Sequence, residues 1–497
     1  MYDVVMMTGV SMDNNGYNLP MINNIIDFFR PVGPHRIRTF LDAHGYKTKI
    51  IDYTPHYTVE QIDILLESTI SKHTKVLGIS STWADFKPET FMRLDDLIKK
   101  YKSKFPNIKV VVGGPNPTTT VMDCIDLYVT GYGEQALLSI LKDDYKRVSY
   151  TSNGTMVLNG TFDYGFPNEY RTKWLPEDKL LPTDVVGLEV GRGCIFKCAF
   201  CSFPLNGKKK GDHIADMGSL YDELMYNYET FGLTRYTLTC DTFNDSMDKM
   251  EGMLKVIEQL PFDFRFTAYV KPELLCARPE QIDLMLALGI ESTSLGIESL
   301  NGPTRKAIQK GYDYEKIAEK LIEMKSKAHK MGRKVFTHQY NMIIGLPHES
   351  MEQVIENRER LLNAYECDGI SLNPLIIYNK NNHSLYPLSP IDMDPEKYGY
   401  KVRTITSPDG KTPTFYWQNE HMNLGKAFKQ TGIMQIDNLR FAKVASFQGA
   451  NLWNIGFNVE EHFEKTDGRW NQITKEQVDT AEKFIQKRVD DYFESMI

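Results

Sequence analysis

Cysteine is scarce in this chain: seven in 497 residues, three of them crowded between positions 194 and 201. Such spacing does not build a disulfide framework. No apolar run reaches the roughly 18 residues of a membrane-spanning helix, so no membrane association is expected. A surplus of basic charge is also missing. The 58 Lys and Arg are outnumbered by 65 Asp and Glu, for a net charge of −7, which gives no overall pull toward nucleic acid. Met1-Tyr2-Asp3 opens on strand-forming residues without a basic and apolar leader, which predicts a cytoplasmic protein. Histidine is absent from the loop between Gly9 and Pro20. What is present is an ordinary globular composition, 41% hydrophobic and 25% charged, with length for about three domains.

Residues 1–146 alternate strand and helix. Apolar strand segments at 3–8, 49–52, 75–80, 109–112 and 127–129 are separated by helical patterns at 34–43, 59–70 and 91–101. Apolar strands divided by helices predict a parallel, doubly wound α/β sheet of Rossmann type. Such sheets bind ligands at the carboxyl ends of their strands. Ser80, Gly113, Gly114 and Gly131 fall at that edge, in the turns Ser80-Ser81-Thr82, Gly113-Gly114-Pro115 and Gly131-Tyr132-Gly133-Glu134. The polar segment 147–182 reads as a linker with a small hairpin at Asn153-Gly154. Residues 183–378 show six strand–helix units, with strands at 185–190, 235–240, 265–270, 292–296, 334–343 and 369–372. Six units predict a partial (β/α)6 barrel with active residues at the carboxyl ends of its strands. Residues 379–497 are rich in aromatic and polar residues, among them Trp417, Trp453, Phe457 and Trp470. They form a C-terminal extension, a candidate substrate cap, with a helix at 476–493.

Cys194, Cys198 and Cys201 read C-x3-C-x2-C just past an apolar, β-prone stretch. Three thiolates on one loop can hold three corners of a 4Fe–4S cluster. The fourth iron then stays open, as the fourth position does in catalytic zinc sites. Zinc itself, or plain buried thiols, are the other readings of three nearby cysteines. The run Lys208-Lys209-Lys210 soon after reads as a solvated loop, the alternative being a contact to a phosphate or carboxylate of substrate. Only Cys124 lies in the first 183 residues, and Cys240, Cys276 and Cys367 are scattered, so no second cluster is expected.

The cysteine spacing, with Phe200 before the last cysteine, resembles the radical S-adenosylmethionine (SAM) superfamily. The order of the N-terminal glycine turns resembles the cobalamin-binding domain that precedes the radical core in one large branch of it. The resemblance implies a 4Fe–4S cluster on Cys194, Cys198 and Cys201, with SAM chelating the open iron. It also implies cobalamin over the edge formed by Ser80, Gly113, Gly114 and Gly131. No histidine should ligate cobalt there, since the first-strand loop has none. For SAM, the resemblance implies Asp241 at the ammonium and Lys271 at the carboxylate, where the family more often has arginine. Glu298 and Ser299, in Gly296-Ile297-Glu298-Ser299, fall at the ribose. Gly345, in Gly345-Leu346-Pro347-His348-Glu349, and Pro374 fall near the adenine.

The implied activity is methylation of an unactivated carbon in a small or medium-sized molecule or peptide, through a 5′-deoxyadenosyl radical. An electron donor such as flavodoxin or ferredoxin would serve it. The alternative is a radical oxidation, cyclisation or rearrangement without methyl transfer. A non-catalytic corrinoid or SAM sensor is a third class, opposed by the intact cysteines and Glu298-Ser299.

Overall fold

The computed structural model describes residues 1–8, 11–12, 30–80, 84–85, 88–114, 123–151, 154–165, 167–203, 205, 207–209, 211–333, 336–377, 388–406, 413–441, 462, 465–466, 469–470 and 474–497. Seven strands make the N-terminal sheet: β1 (Val4–Met7), β2 (Thr48–Ile51), β3 (Val76–Ser80), β4 (Lys109–Gly114), β5 (Leu127–Thr130), β6 (Ser149–Tyr150) and β7 (Met156–Asn159). Their order is β2-β1-β3-β4-β5-β7-β6. All pair in parallel except β6, which runs antiparallel to β7 at the edge. The hairpin read in the linker is therefore part of this sheet, although Asn153 at its tip lies outside the described residues.

The strands are apolar on both faces because both are covered. On one face Phe40 and Leu41 of the helix Val32–Ala43, with Leu137 and Ile140 of Glu134–Lys142, pack on Val4, Met6 and Ile50. On the other, the helices Val59–Thr69 and Pro88–Lys104 meet Val5, Met7 and Ile51. The C-terminal helix Lys475–Met496 joins this second face through Ala481, Ile485, Val489 and Tyr492. These positions recur at helical spacing and form one apolar stripe. Arg488 on the same helix makes two hydrogen bonds, of 2.6 and 2.8 Å, to Asp184 at the start of the second domain.

The second domain is a six-stranded sheet: β8 (Val185–Leu188), β9 (Arg235–Leu238), β10 (Arg265–Val270), β11 (Ile290–Glu298), β12 (Thr337–Ile344) and β13 (Gly369–Pro374). The strands follow one another in chain order and all pairs are parallel, as a partial barrel requires. Leu238, Val270, Leu295 and Leu372 point outward into a core shared with the surrounding helices. Each such burial contributes about 1.5–3 kcal/mol.

The described parts of residues 379–497 pack in two places. The antiparallel hairpin β14 (Lys401–Thr406) and β15 (Pro413–Gln418) and the helix Leu424–Phe441 lie on the barrel, where Tyr400, Trp417 and Met422 enter its core. The last helix packs on the N-terminal sheet instead. Trp453 and Phe457 lie outside the described residues.

Candidate active site

The cysteine loop leaves the end of β8 and is closed by its own backbone. Gly207 N–H donates to the carbonyls of Cys194 (2.7 Å) and Phe196 (3.0 Å), and Cys201 N–H donates to Cys198 (3.1 Å). Gly193 has φ +72°, and a Cβ there would lie 2.6 Å from Leu205 Cβ, so this turn needs glycine. None of the three thiols forms a disulfide, and all are half-buried. Three thiols on one loop fit three corners of a 4Fe–4S cluster, whereas a structural zinc would need a fourth ligand.

Cations stand beside these sulfurs. Lys271 Nζ is 3.9 Å from Cys198 Sγ and 4.5 Å from the centre of the Phe196 ring. Its backbone is clasped by Asn244, which accepts from Lys271 N–H (2.9 Å) and donates to its carbonyl (3.1 Å). Lys208 departs from the solvated loop read in the sequence. Its ammonium is buried, donating to the carbonyls of Arg192 (2.6 Å) and Asp212 (2.9 Å). Lys209 is exposed, and Lys210 lies outside the described residues.

Asp241 follows β9 and accepts the backbone N–H of Gly193. Burial pushes its carboxyl up to about 6, against the opposing pull of Lys208. Glu298 ends β11 at a register shift with φ +65°. Its carboxylate is 3.4 Å from Lys310; burial raises its pKa, with Lys310 opposing. Lys310 donates to Gly296 O at 2.7 Å. Burial lowers the Lys310 pKa, but Glu273 and Glu298 outweigh it and hold the ammonium above its usual value. Arg305 completes the frame, bonding Glu273 (2.6 Å), Ile297 O (2.8 Å) and Ser299 O (3.0 Å). Sequence reasoning missed Glu273, Arg305 and Lys310. Arg305 and Lys310 lie beyond the strand end they serve, and no local motif marks them.

Three expected cofactor residues, Ser299, Gly345 and Pro374, have close neighbours within the protein. Ser299 is fully buried and donates to Glu349 (2.6 Å) while accepting from Asn301 N–H (3.0 Å). It holds the neighbouring turn. Gly345 has φ +104°, and a Cβ there would lie 2.5 Å from the Trp417 ring. Tyr400 Oη donates to its carbonyl at 2.7 Å. Trp417 Nε1 donates to Leu375 O, next to Pro374, at 2.8 Å. The strand ends read as adenine contacts are thus covered by Trp417 and Tyr400 from the C-terminal extension.

At the carboxyl edge of the N-terminal sheet, Ser80 pairs with Gly113, and Gly113 and Gly114 with Val129 and Thr130. These small residues sit side by side on adjacent strand ends. Gly131 has a different reason for being glycine: at φ +76°, its Cβ would collide with Thr161 Oγ1 at 2.0 Å. The turn it begins reaches the cysteine loop. Glu134 pairs with Arg192 (2.7 Å) and Arg36 (2.9 Å), and Glu189 pairs with the same two arginines (2.8 and 2.9 Å). Arg192 also lies 4.2 Å from the centre of the Tyr132 ring. His44 caps its helix on Phe40 O (2.8 Å).

Residues 188–361 match the Radical SAM superfamily. An uncharacterized methyltransferase of Pyrococcus horikoshii is 26% identical over 274 residues, 50% of this chain and 56% of the relative. The bacteriochlorophyllide d C-12(1)-methyltransferase of Chlorobaculum tepidum is 26% identical over 238 residues, 44% of this chain and 48% of the relative. The chain spans about half the length of these curated relatives. Among solved structures, the radical S-adenosylmethionine methyltransferase TsrM from Kitasatospora setae, with cobalamin and a 4Fe–4S cluster bound, matches with a TM-score of 0.62 at 14% identity, over 99% of this chain and 100% of that one. The cobalamin-dependent radical enzyme OxsB, with aqua-cobalamin and S-adenosylmethionine bound, matches with a TM-score of 0.58 at 13% identity, over 99% and 72%. At these identities the likeness establishes the fold.

Proposed function

From a chain whose residues 188–361 are a Radical SAM superfamily domain, set in the fold of TsrM and OxsB, we propose a cobalamin-dependent radical SAM enzyme that methylates an unactivated carbon of a small molecule. The observation that carries this reading is the cysteine triplet, three half-buried thiols on one loop outside any disulfide, beside the Lys271 ammonium. When bound, the cluster would supply the electron that cleaves SAM, and cobalamin would carry the methyl group.

The chain's own residues have definable tasks. Cys194, Cys198 and Cys201 hold the cluster and leave one iron without a protein ligand. Lys271 balances thiolate charge and offers a point charge to the SAM carboxylate. Asp241, still largely ionised at neutral pH with its pKa about 6, faces the ammonium. Glu298 accepts from the ribose hydroxyls, held in place by Lys310. Ser80, Gly113 and Gly114 form the corrin shelf, and no histidine ligates the metal. Among the described residues no helix is long and apolar enough to cross a membrane. An oxygen-sensitive cluster suits a reducing cytoplasm with a flavodoxin or ferredoxin as donor.

The test is anaerobic reconstitution with iron, sulfide and hydroxocobalamin, followed by reduction with SAM carrying a labelled methyl. Release of 5′-deoxyadenosine supports the radical core. Label on a product carbon supports methyl transfer, and an altered but unlabelled substrate would replace it with oxidation or rearrangement.

A further inference from the structure

The inner face of this barrel is polar. Alternation along a strand sends successive side chains to opposite faces. The residues that point outward, such as Leu238, Val270 and Leu295, enter the helix-packed core. Their neighbours Thr237, Thr267, Ser294, Asn341, Ser371 and Asn373 therefore face the lumen, and all six are half-buried or exposed. Closed (β/α)8 barrels fill this space with packed layers of Val, Ile and Leu. Here, on β9 to β13, only Tyr269 and Ile343 interrupt a series of hydroxyl, amide and glycine positions above the floor.

Hydrogen-bonded rungs link neighbouring strands across this face. Thr267 donates to Thr237 (3.3 Å), Thr337 to Ser292 (2.8 Å) and Asn341 to Ser294 (2.8 Å). The floor is closed by Glu291, which pairs with Arg235 at 3.6 Å and Arg265 at 3.9 Å. Charges at the mouth are balanced as well: Lys271 with Glu273 (3.6 Å) and Glu298 with Lys310 (3.4 Å). Between mouth and floor the wall is neutral. One rung is incomplete. Gln339 is only 4% exposed, and its Nε2 has no hydrogen-bond partner among the described residues. A buried, unpaired donor is costly, and an acceptor on a bound ligand would satisfy it.

We propose that this lumen is the substrate cavity and that the substrate is a small, uncharged molecule dense in hydroxyl or amide groups. The inference rests on the radical SAM reading above and adds the class of molecule. An apolar substrate would offer no acceptor to Gln339 Nε2 and would cut the lining hydroxyls and amides off from water. A strongly ionic one would find no counter-charge on the wall.

The experiment uses the reconstituted full chain. Substrate-free 5′-deoxyadenosine formation is measured first; its absence in a protein with intact cluster would defeat the radical SAM reading itself. A small-molecule extract of the source organism is then divided into anionic, cationic, neutral polar and apolar fractions. The neutral polar fraction should raise the rate above the substrate-free level. Stimulation confined to the apolar or either charged fraction overturns the proposal. In the Thr237→Val/Asn341→Leu double variant, the ratio of stimulated to substrate-free rate should fall at least about tenfold, as expected for a site built to hydrogen-bond its substrate. An unchanged ratio also overturns it.

Discussion

Arg192 and Glu134 meet at 2.7 Å, both side chains almost wholly buried. One stands two residues before the first cluster cysteine and the other in the turn after β5 of the N-terminal sheet. Their contact ties the N-terminal domain to the cysteine loop. Burial raises the Glu134 pKa, but Arg192 and Arg36 outweigh it and hold the carboxyl below its usual value. Glu134→Gln removes the charge both arginines share. Breaking a buried pair from one side costs about 3–5 kcal/mol. Chemical denaturation should show a loss of that size; a change under about 1 kcal/mol would mean the network does not join the domains.

The cysteine triplet predicts the metal content. Reconstituted protein should bind about four irons per chain. Replacing Cys194, Cys198 and Cys201 together with Ala should abolish the iron–sulfur absorbance, while Cys240→Ala, buried outside the loop, keeps it. A full cluster signal in the triple variant would refute the assignment.

Glu298→Ala should weaken SAM binding by about 1.5–3 kcal/mol, the worth of a hydrogen bond to a charged group, with iron content unchanged. Equilibrium binding under anaerobic conditions measures it. Wild-type affinity in the variant would remove Glu298 from the SAM site.

Glu349 gives a pH signature. Burial pushes its carboxyl up to about 7, from an ordinary 4.5, against the bonds from Ser299 and Asn357. Between pH 4.5 and 7 the folded state keeps a proton that the unfolded state has released, so this group's contribution to stability falls as pH rises through that window. Glu349→Gln keeps an acceptor for Ser299 and cannot ionise. Relative to wild type it should gain about 3 kcal/mol between pH 4.5 and 8. Parallel stability curves for the two proteins would contradict the burial argument.

Gly345 and Trp417 should be coupled. Gly345→Ala drives a methyl to 2.5 Å from the indole, an overpacking worth about 1–3 kcal/mol. Trp417→Ala alone should cost about 3–5 kcal/mol. In the double variant the clash is gone and only the strain of φ +104° remains, so the combined loss should be smaller than the sum. Strict additivity would show that the ring does not set the glycine.

By itself the sequence determined the two parallel sheets, because strand and helix periodicities are local and strong between positions 1 and 378. It also determined the cysteine loop, whose three ligands fall within a few residues, and the place of Lys271 and Glu298 at strand ends. Tertiary structure alone decided what those ends touch. Lys208 is drawn inward by the carbonyls of Arg192 and Asp212, a partnership no basic run reveals. Lys310 and Arg305 reach Glu298 and Glu273 only because β11 and the segment after it turn back on the barrel edge. Trp417 takes the ledge beside Gly345 from seventy residues downstream, and the last helix returns to the first sheet because its apolar stripe finds an open face there. Each of these contacts joins residues distant in the chain, and their energies come from burial and charge pairing that exist only after the chain has folded.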